Sequence, residues 1–290
     1  MGTRDDYRTL IKKLIKPLKP IATGYPIRLQ SIKAKAFIFD IYGTLLMSSA
    51  GEVADNTALN NAESFTLAML DGGWDRSEIN EKIKAGPALL YKETKNAQQQ
   101  RRLQGILHPE IDILQVWHQV LKTLEFDITP GRCIRRLAIS YECRVNPAWP
   151  MPGLVETVST LKNRKKRLGI ISNAQFYTPV ILEALLGCSM ERMGFKPELA
   201  VWSYQKLEGK PSPVLFEQIK TQLSLHDIQP DETLFIGNDM QKDIQPAALL
   251  GWKTALFAGD KRSLRLHAGD KELMATDPDI IIDDLRQLLH

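Results

Sequence analysis

The sequence predicts an α/β protein built on a doubly wound parallel sheet, with a smaller helical domain inserted after the first strand. Short uninterrupted apolar runs bounded by turn residues indicate buried strands of a parallel sheet. Helix-period segments separate most of these runs, and strands that alternate with helices are typical of doubly wound sheets. The runs lie at residues 36–39, 168–171, 199–202, 233–236, 254–257 and 280–282, and the helices at 153–164, 177–187, 213–224 and 243–250.

The helical domain is predicted over residues 48–149, where no comparable strand run occurs. A connection of ~100 residues is far longer than the roughly 4–6 residues usual between elements, so we expect a separate folding unit. The core domain is accordingly predicted over 36–47 and 150–290, preceded by an N-terminal extension over 1–35. Helix periodicity in the insert predicts helices at 54–70, 76–94, 111–124 and 134–142.

The N-terminal extension is basic, with nine lysines and arginines against two aspartates in a chain whose formal net charge is only +4. Such a leader is able to lie on an anionic membrane surface or on nucleic acid. We favour a helix packed on the core, because prolines end the helix early and the Trp or Phe anchors of interfacial helices are lacking. The apolar residues expected at that contact are Leu10, Ile11, Leu14, Ile15 and Leu18.

The overall composition is that of an ordinary globular chain, with 43% hydrophobic and 25% charged residues. No apolar stretch approaches the roughly 18 residues of a membrane span, and charges interrupt the N-terminus where a secretory segment would be apolar. Cys133, Cys143 and Cys188 are too scattered for a disulfide framework or a zinc site. We therefore expect a cytoplasmic protein with no nucleic-acid partner.

Polar residues stand where the predicted strands end, and ligands of open parallel sheets bind at the carboxyl ends of the strands. Carboxylates in such a place suit Mg²⁺, which accepts one or two carboxylates together with phosphate oxygens. A carboxylate is also able to act as a nucleophile, while a lysine neutralises charge and a serine donates a hydrogen bond. The residues at these ends are Asp40, Ser172, Asn173, Lys210, Asn238, Asp239 and Asp243.

Four motifs follow one another at these positions: Phe37-Ile-Phe-Asp40-Ile-Tyr42-Gly43-Thr44-Leu45-Leu46, Ile170-Ile-Ser172-Asn173, Gly209-Lys210-Pro211-Ser-Pro213, and Phe235-Ile-Gly237-Asn-Asp239-Met-Gln-Lys-Asp243. In this order and strand context they resemble the haloacid dehalogenase-like (HAD) hydrolase superfamily. The resemblance covers roughly residues 33–47 and 150–284. It implies a Rossmann-like core and identifies the helical insert as a cap domain.

The resemblance also implies a role for each matching residue. Asp40 is expected to be the nucleophile, Ser172 a ligand of the transferred group and Lys210 its charge neutraliser. The residues expected at a Mg²⁺ site are Asp40, Tyr42 through its backbone carbonyl, Asp239 and Asp243, the last in support. The residues expected to bind substrate are Gly43, Thr44 and Asn173.

Tyr42 departs from the pattern of the superfamily's phosphatases, which carry a second aspartate there as general acid and base. A phenol with a reference pKa of ~10 is a poor base near neutral pH. Tyrosine at this position is the form found in the superfamily's 2-haloacid dehalogenases, whose halide leaves without a proton. Those enzymes replace the metal-binding acid with serine and asparagine, however, whereas Asp239 and Asp243 are both present here and would repel each other without a cation.

The sequence therefore favours a Mg²⁺-dependent hydrolase of a small phosphate ester. A metal-independent 2-haloacid dehalogenase acting on a halogenated substrate is the alternative enzyme. A binding protein that holds a phosphate ligand without turnover is the alternative outside enzymes.

Residues 108–117 are the most distinctive stretch of the insert. Pro109 predicts a helix start, with Glu110 and Asp112 placed in the first turn, where the helix dipole favours acids. In a functional interpretation this helix start overhangs Asp40, and His108 or Asp112 supplies the acid that Tyr42 lacks.

Overall fold

The computed structural model describes residues 3–48, 61–79, 81–269 and 275–290. Its strands are, in chain order, β1 (Ala36–Phe39), β2 (Leu46–Ser48), β3 (Ala148–Pro150), β4 (Arg167–Ser172), β5 (Phe195–Trp202), β6 (Thr233–Gly237), β7 (Lys253–Phe257) and β8 (Ile280–Ile282). Six of them form a parallel sheet in the order β5-β4-β1-β6-β7-β8. The strand order reverses at β1, which makes the carboxyl end of β1 the place where a doubly wound sheet binds ligands.

Both faces of the sheet are buried, which confirms the predicted doubly wound α/β class. Phe37 and Phe39 of β1 pack into one hydrophobic cluster, whereas Ala36 and Ile38 pack into another. Successive side chains of a strand point to opposite faces, so an uninterrupted apolar run is what two covered faces require.

Eleven α-helices are described in residues 3–48, 61–79, 81–269 and 275–290. Four belong to the insert between β2 and β3: α2 (Ala62–Gly72), α3 (Gly86–Leu103), α4 (Ile113–Thr123) and α5 (Ile134–Val145). The others are α1 (Arg4–Leu14), α6 (Leu154–Asn163), α7 (Tyr177–Leu186), α8 (Met190–Met193), α9 (Ser203–Lys206), α10 (Pro213–Ser224) and α11 (Gln245–Leu249).

The insert leaves and rejoins the core through a two-stranded antiparallel ladder. Strand β2 pairs with β3, with Met47 opposite Trp149. A hydrogen bond from Ser48 Oγ to Asn146 Oδ1, 2.6 Å long, extends this pairing towards α5. The two chain segments that connect the insert to the core are therefore held side by side.

Two predicted helices open with an irregular turn, and each has a proline in its first α-helical turn. The helix predicted over 76–94 is a 3-10 turn at Glu81–Ala85 followed by α3, and the helix predicted over 243–250 is a π-helical turn at Met240–Ile244 followed by α11. Pro87 and Pro246 stand in the first turns of α3 and α11, where a missing N–H costs nothing. The helix predicted over 54–70 begins at Ala62, and residues 54–60 of that prediction lie outside the described residues.

The basic helix α1 packs against α7 of the core and α5 of the insert through buried Leu10 and Ile11. Arg4 and Arg8 both form ion pairs with Glu183 of α7, whose side chain is only 1% exposed. Two positive charges of this extension therefore pair with a buried acid of the core. No helix within the described residues is both long and apolar enough to cross a membrane.

Removing both arginines leaves Glu183 buried without a cationic partner. We expect Arg4→Ala/Arg8→Ala to lower the free energy of unfolding by about 3 kcal/mol, because an unpaired carboxylate remains in the interior. Urea denaturation measures this loss. In a Glu183→Gln background the same two substitutions should cost less than ~1 kcal/mol, and equal losses in the two backgrounds would contradict the assignment.

Candidate active site

Asp40 lies at the carboxyl end of β1, the central position of the strand order, and is 6% exposed. Its Oδ1 is 2.7 Å from Lys210 Nζ and accepts a hydrogen bond from Ser172 Oγ at 3.3 Å. Its Oδ2 takes part in no hydrogen bond with the described residues. One oxygen of Asp40 is thus fixed, and the other is left for chemistry.

Lys210 joins Asp40 to Asp243. Its Nζ is 2.5 Å from Asp243 Oδ1, and Asp243 Oδ2 accepts hydrogen bonds from the backbone N–H groups of Asn238 and Asp239, both at 3.1 Å. Burial acts to lower the pKa of Lys210, but the Asp243 and Asp40 carboxylates raise that pKa above its ordinary value. The lysine is therefore charged whenever the protein is folded near neutral pH.

Asp243 is a buried acid whose pKa is raised in this group of charges. Burial raises the pKa of Asp243 to about 7, opposed by Lys210 and assisted by the charges of Asp40 and Asp239. Both oxygens of Asp243 are already engaged, so this residue holds Lys210 and the loop that follows β6. Gly237 makes the approach possible, because a Cβ there would lie 2.4 Å from Asp243 Cβ.

Asn173 fixes the backbone on which Lys210 stands. Its Oδ1 accepts a hydrogen bond from Lys210 N at 2.6 Å, and its Nδ2 donates one to Lys210 O at 3.2 Å. The end of β4 and the loop that carries the lysine are therefore locked together. Asn173 also lines the cavity described below.

Asp239 caps the π-helical turn that follows β6. Its Oδ1 accepts hydrogen bonds from Gln241 N and Lys242 N, both at 2.9 Å, and lies 2.8 Å from His267 Nε2. Its Oδ2 has no hydrogen-bond partner among the described residues. Sequence reasoning missed His267, because nothing in its local pattern indicates a contact with a residue 28 positions earlier.

Tyr42, Gly43 and Thr44 form the turn after Asp40, and each has a different surrounding. The Tyr42 hydroxyl shares a hydrogen bond with Thr178 Oγ1 at 3.2 Å, and burial followed by the charge of Glu142 raises the pKa of Tyr42 well above its usual value. Gly43 has a φ of +90° and lies against Asn238 and Ser263. Both the backbone conformation and the lack of space therefore exclude a side chain at this position. Thr44 Oγ1 donates a hydrogen bond to Asn238 Oδ1 at 3.1 Å.

A cavity of about 400 Å³ opens above these residues, between the core and the insert. Helices α3 and α5 and the segment 107–111 form its walls on the insert side. Ser172, Gly43 and Thr44 are buried behind its floor and are not among its lining residues. The predicted site residues that line the floor are Asp40, Tyr42, Asn173, Lys210, Asp239 and Asp243.

Residues 108–110 strap the insert to the loop that carries Lys210. Gly209 N donates a hydrogen bond to His108 O at 2.8 Å, and Glu110 N donates one to Leu207 O at 3.0 Å. These backbone bonds explain why the helix start predicted at Pro109 is wrong, since α4 begins only at Ile113. Asp112 caps α4 by accepting from Leu114 N, whereas His108 lines the cavity.

Comparison with known proteins identifies the family. The model of the haloacid dehalogenase-like hydrolase family matches residues 34–251, which is well over half of the chain. The chain belongs to the haloacid dehalogenase-like hydrolases. The resemblance of the four motifs is thereby confirmed.

Three individual proteins are similar to the chain in sequence or in structure. The chain is 29% identical over 111 residues to the Rhythmically expressed gene 2 protein of Drosophila melanogaster, and this match spans 37% of the chain and 40% of that protein. A 2-haloacid dehalogenase from Pseudomonas syringae pv. Tomato is similar in structure, with a TM-score of 0.53 and 17% identity over 88% of this chain and 96% of that one. A HAD phosphatase from Thermococcus onnurineus has a TM-score of 0.50 and 18% identity over 88% and 97%. At these identities the structural likeness shows the fold.

The floor of the site offers oxygen atoms that suit Mg²⁺. Asp40 Oδ2, Asp239 Oδ2 and the Tyr42 carbonyl oxygen accept none of the hydrogen bonds described. No three His, Cys, Asp or Glu side chains in the described ranges form a group that could enclose a metal ion. Mg²⁺ usually retains several waters and binds proteins through one or two carboxylates, so the residues present fit this ion.

Glu142 of α5 is a further buried acid at this cavity that sequence reasoning missed. Its Oε2 accepts a hydrogen bond from the Tyr177 hydroxyl and its Oε1 one from Asn146 Nδ2, both at 2.9 Å. Burial nevertheless raises the pKa of Glu142 above its usual value. Helix periodicity indicates on which face of α5 Glu142 lies, but it does not predict that this face packs against Tyr177.

The pKa of Glu142 predicts how stability depends on pH. A raised folded-state pKa favours the neutral carboxyl, so this contribution is complete below the unfolded value of ~4.3 and is lost as the pH rises through the folded value. Glu142→Gln stays neutral and should not show that loss, which amounts to about 1.4 kcal/mol for each unit of raised pKa. Urea midpoints of both proteins across the weakly acidic to weakly basic range test this, and parallel profiles would contradict it.

Proposed function

We propose that this hydrolase cleaves small phosphate monoesters, with Asp40 as the nucleophile and Mg²⁺ as the cofactor. The observation that carries the proposal is the balance of charge on the cavity floor. Asp40, Asp239 and Asp243 are three buried carboxylates at one place, and the buried cation Lys210 pairs with two of them. A divalent cation offsets this excess of negative charge, and a dianionic phosphate group needs that compensation most.

In the proposed reaction the Asp40 carboxylate attacks phosphorus while the bond from phosphorus to the ester oxygen breaks. The leaving group departs as an alkoxide or aryloxide that takes a proton from solvent, and the phosphoryl group is carried on Asp40. Water then attacks that phosphorus, so that inorganic phosphate leaves and the carboxylate is restored. Lys210 holds Asp40 Oδ1 in place, and Ser172 donates a hydrogen bond to the same oxygen. Bound Mg²⁺ would supply charge neutralisation for the phosphoryl oxygens, held by Asp40, Asp239 and the Tyr42 carbonyl.

Asp243 acts in this scheme by positioning. Its two oxygens hold Lys210 and two backbone amides, so Asp243 supports the metal site without being a ligand.

The three free cysteines suit a reducing compartment, which agrees with a cytoplasmic reaction.

Tyr42 determines which esters are good substrates. Its hydroxyl is neutral and paired with Thr178, so no carboxyl stands there to protonate the leaving oxygen. General acid catalysis contributes typically ~10²–10⁴-fold, and esters of weakly acidic alcohols depend on it most. Aryl phosphates should therefore be cleaved much faster than alkyl phosphates.

The first test concerns the nucleophile and the metal together. Wild-type protein should hydrolyse phenyl phosphate with Mg²⁺ and lose that activity in EDTA. Asp40→Asn keeps the shape of the side chain but removes the attacking charge, so turnover should vanish while the melting temperature stays measurable. Turnover by Asp40→Asn above a tenth of the wild-type rate would contradict the role of Asp40.

The second test restores the missing acid. Tyr42→Asp should raise turnover on an alkyl phosphate within the ~10²–10⁴-fold range of general acid catalysis and raise it less on phenyl phosphate. Tyr42→Phe is the matched control, because it removes the hydroxyl without adding an acid, and it should leave the ratio of the two substrates unchanged. Equal effects of Asp and Phe on that ratio would contradict this explanation.

Tyr42 is also the observation that favours a second candidate, a 2-haloacid dehalogenase. In that reaction Asp40 displaces halide from carbon, and halide needs no proton. The chain would then release chloride from 2-chloropropionate in EDTA, and Tyr42→Asp would abolish the release by placing a negative charge beside an anionic substrate. Failure of both proteins on phosphate esters and on 2-chloropropionate would favour a protein that binds a phosphate ligand without turnover.

A further inference from the structure

Helix α3 lines the insert side of the cavity with one polar face, called here the polar wall. Its lining side chains recur every three or four residues, as neighbours on one side of a helix do. After Pro87 and Leu90 near the start of the helix they are Tyr91, Thr94, Lys95, Gln98 and Arg102. From Tyr91 to Arg102 the polar wall extends for ~16 Å, given the rise of an α-helix. A wall of this length is able to contact the organic part of a bound ester.

Lys95 and Arg102 are the cations of the polar wall, and neither forms an ion pair with a carboxylate of the described residues. Arg144 of α5, by contrast, pairs with Asp71 at 2.9 Å. Lys95 Nζ lies 5.4 Å from the centroid of the Tyr91 ring, which lines the cavity as well. Two positive charges at this wall therefore have no negative partner in the part of the chain that the structure describes.

The two acids that line the cavity from the insert have other partners. Glu142 accepts hydrogen bonds from Tyr177 and Asn146, and its raised pKa favours the neutral carboxyl. Glu110 Oε2 accepts a hydrogen bond from Ser203 Oγ at 2.9 Å. These acids therefore leave the positive charge of the polar wall uncompensated.

The polar wall and the floor of the cavity belong to different domains. Asp40, which carries the phosphoryl group in the proposed reaction, lies in the core, whereas α3 lies in the insert. On the floor, Lys210 and Mg²⁺ together would balance the three carboxylates, so Lys95 and Arg102 are additional to that balance. Unpaired charges of one sign in a cleft attract ions of the opposite sign. A phosphate ester seated on the floor would thus turn its organic part towards these two cations.

We propose that Lys95 and Arg102 bind a second anionic group, carried by the organic part of the substrate. The substrate class is a phosphate ester of an alcohol that also bears an acidic group, of which a carboxylate is the simplest. Arginine binds carboxylates with paired N–H donors, and lysine binds them as a point charge. This inference rests on the proposed phosphatase function and names the substrates within it.

The test compares wild type with Lys95→Gln/Arg102→Gln on matched esters, with Mg²⁺. The esters are 3- and 4-carboxyphenyl phosphate and the two corresponding carbamoylphenyl phosphates, in which a neutral amide of nearly the same shape replaces the carboxylate. For at least one ring position, wild type should prefer the acid to its amide. The double variant should lower this ratio of kcat/KM values by ~10-fold, mainly through KM, because the cations that hold the carboxylate are gone.

The matched control is Lys92→Gln/Arg101→Gln. It removes the same two charges from the same helix, but neither residue lines this cavity. The preference for the acid should stay within about twofold of wild type, because attraction over a longer distance is screened by salt. Equal losses in the two double variants would show a general effect of charge and overturn the proposal. A wild type that prefers neither acid to its amide would do the same.

Stability and leaving group do not confuse this comparison. Lys95 and Arg102 are exposed to solvent, so replacing them should change the free energy of unfolding by no more than about 0.5 kcal/mol. Each ester is compared between proteins, so its own leaving-group reactivity cancels. Equal losses for acids and amides in Lys95→Gln/Arg102→Gln would show that the two cations hold the shared phosphate group, which would contradict a second anionic group.

A binding measurement keeps the two proposals apart. Calorimetric titration of the four esters, with Mg²⁺, into Asp40→Asn and into Asp40→Asn/Lys95→Gln/Arg102→Gln needs no turnover. If wild type hydrolyses none of the esters, the phosphatase function fails, while selectively weaker binding of an acid by the triple variant still supports the anion site. Equal binding of every ester by both proteins, or binding of neither acid to Asp40→Asn, would overturn it.

Discussion

The buried ion pairs of Lys210 with Asp40 and Asp243 are the constraint on which the rest of the structure depends. Each of these side chains is at least nine-tenths buried, so each charge has lost nearly all of its hydration. Burial of this kind is tolerated only when the partners are close and the remaining polar atoms are satisfied. The sheet meets that demand by ending β1 and β6 side by side, while Asn173 fixes the lysine backbone.

The same buried charges are the basis of the cation and the chemistry proposed for this site. One lysine cannot neutralise three carboxylates, and burial, assisted by the charges of Asp40 and Asp239, raises the pKa of Asp243. A structure selected for stability alone would replace such a cluster with apolar side chains at little cost. The phosphoryl transfer proposed above would depend mainly on positioning and on electrostatic stabilisation, which a cluster of this kind supplies.

The insert is joined to the rest of the protein by three separate sets of contacts, and these hold its helices over the cavity floor. The β2–β3 ladder ties its base, the backbone bonds of His108 and Glu110 tie it to the lysine loop, and α1 packs against both α5 and α7. Because the second of these contacts is made by Gly209, one residue before Lys210, the segment 108–110 of the insert is bound to the loop that carries the lysine.

The sequence predicts the core well, because each signal there is local. An apolar run followed by Asp40 identifies a buried strand and its ligand-binding end within five residues, and the glycine and proline around Lys210 mark its loop. The contacts of His267 with Asp239, of Arg8 with Glu183 and of Tyr177 with Glu142 arise from packing between distant segments. Helix periodicity gives the face on which such a residue lies but not the residue that it contacts.

Rapid acid quenching of the reaction, followed by mass analysis of the peptide that contains Asp40, tests the central claim most directly. Wild-type protein mixed with phenyl phosphate and Mg²⁺ should carry a phosphoryl group on Asp40 during turnover, and the adduct should be absent in EDTA because the site then keeps its excess negative charge. Turnover of the ester without any adduct on Asp40 would contradict the account. So would an ester of Asp40 formed from 2-chloropropionate in EDTA, since that adduct shows attack on carbon without a metal.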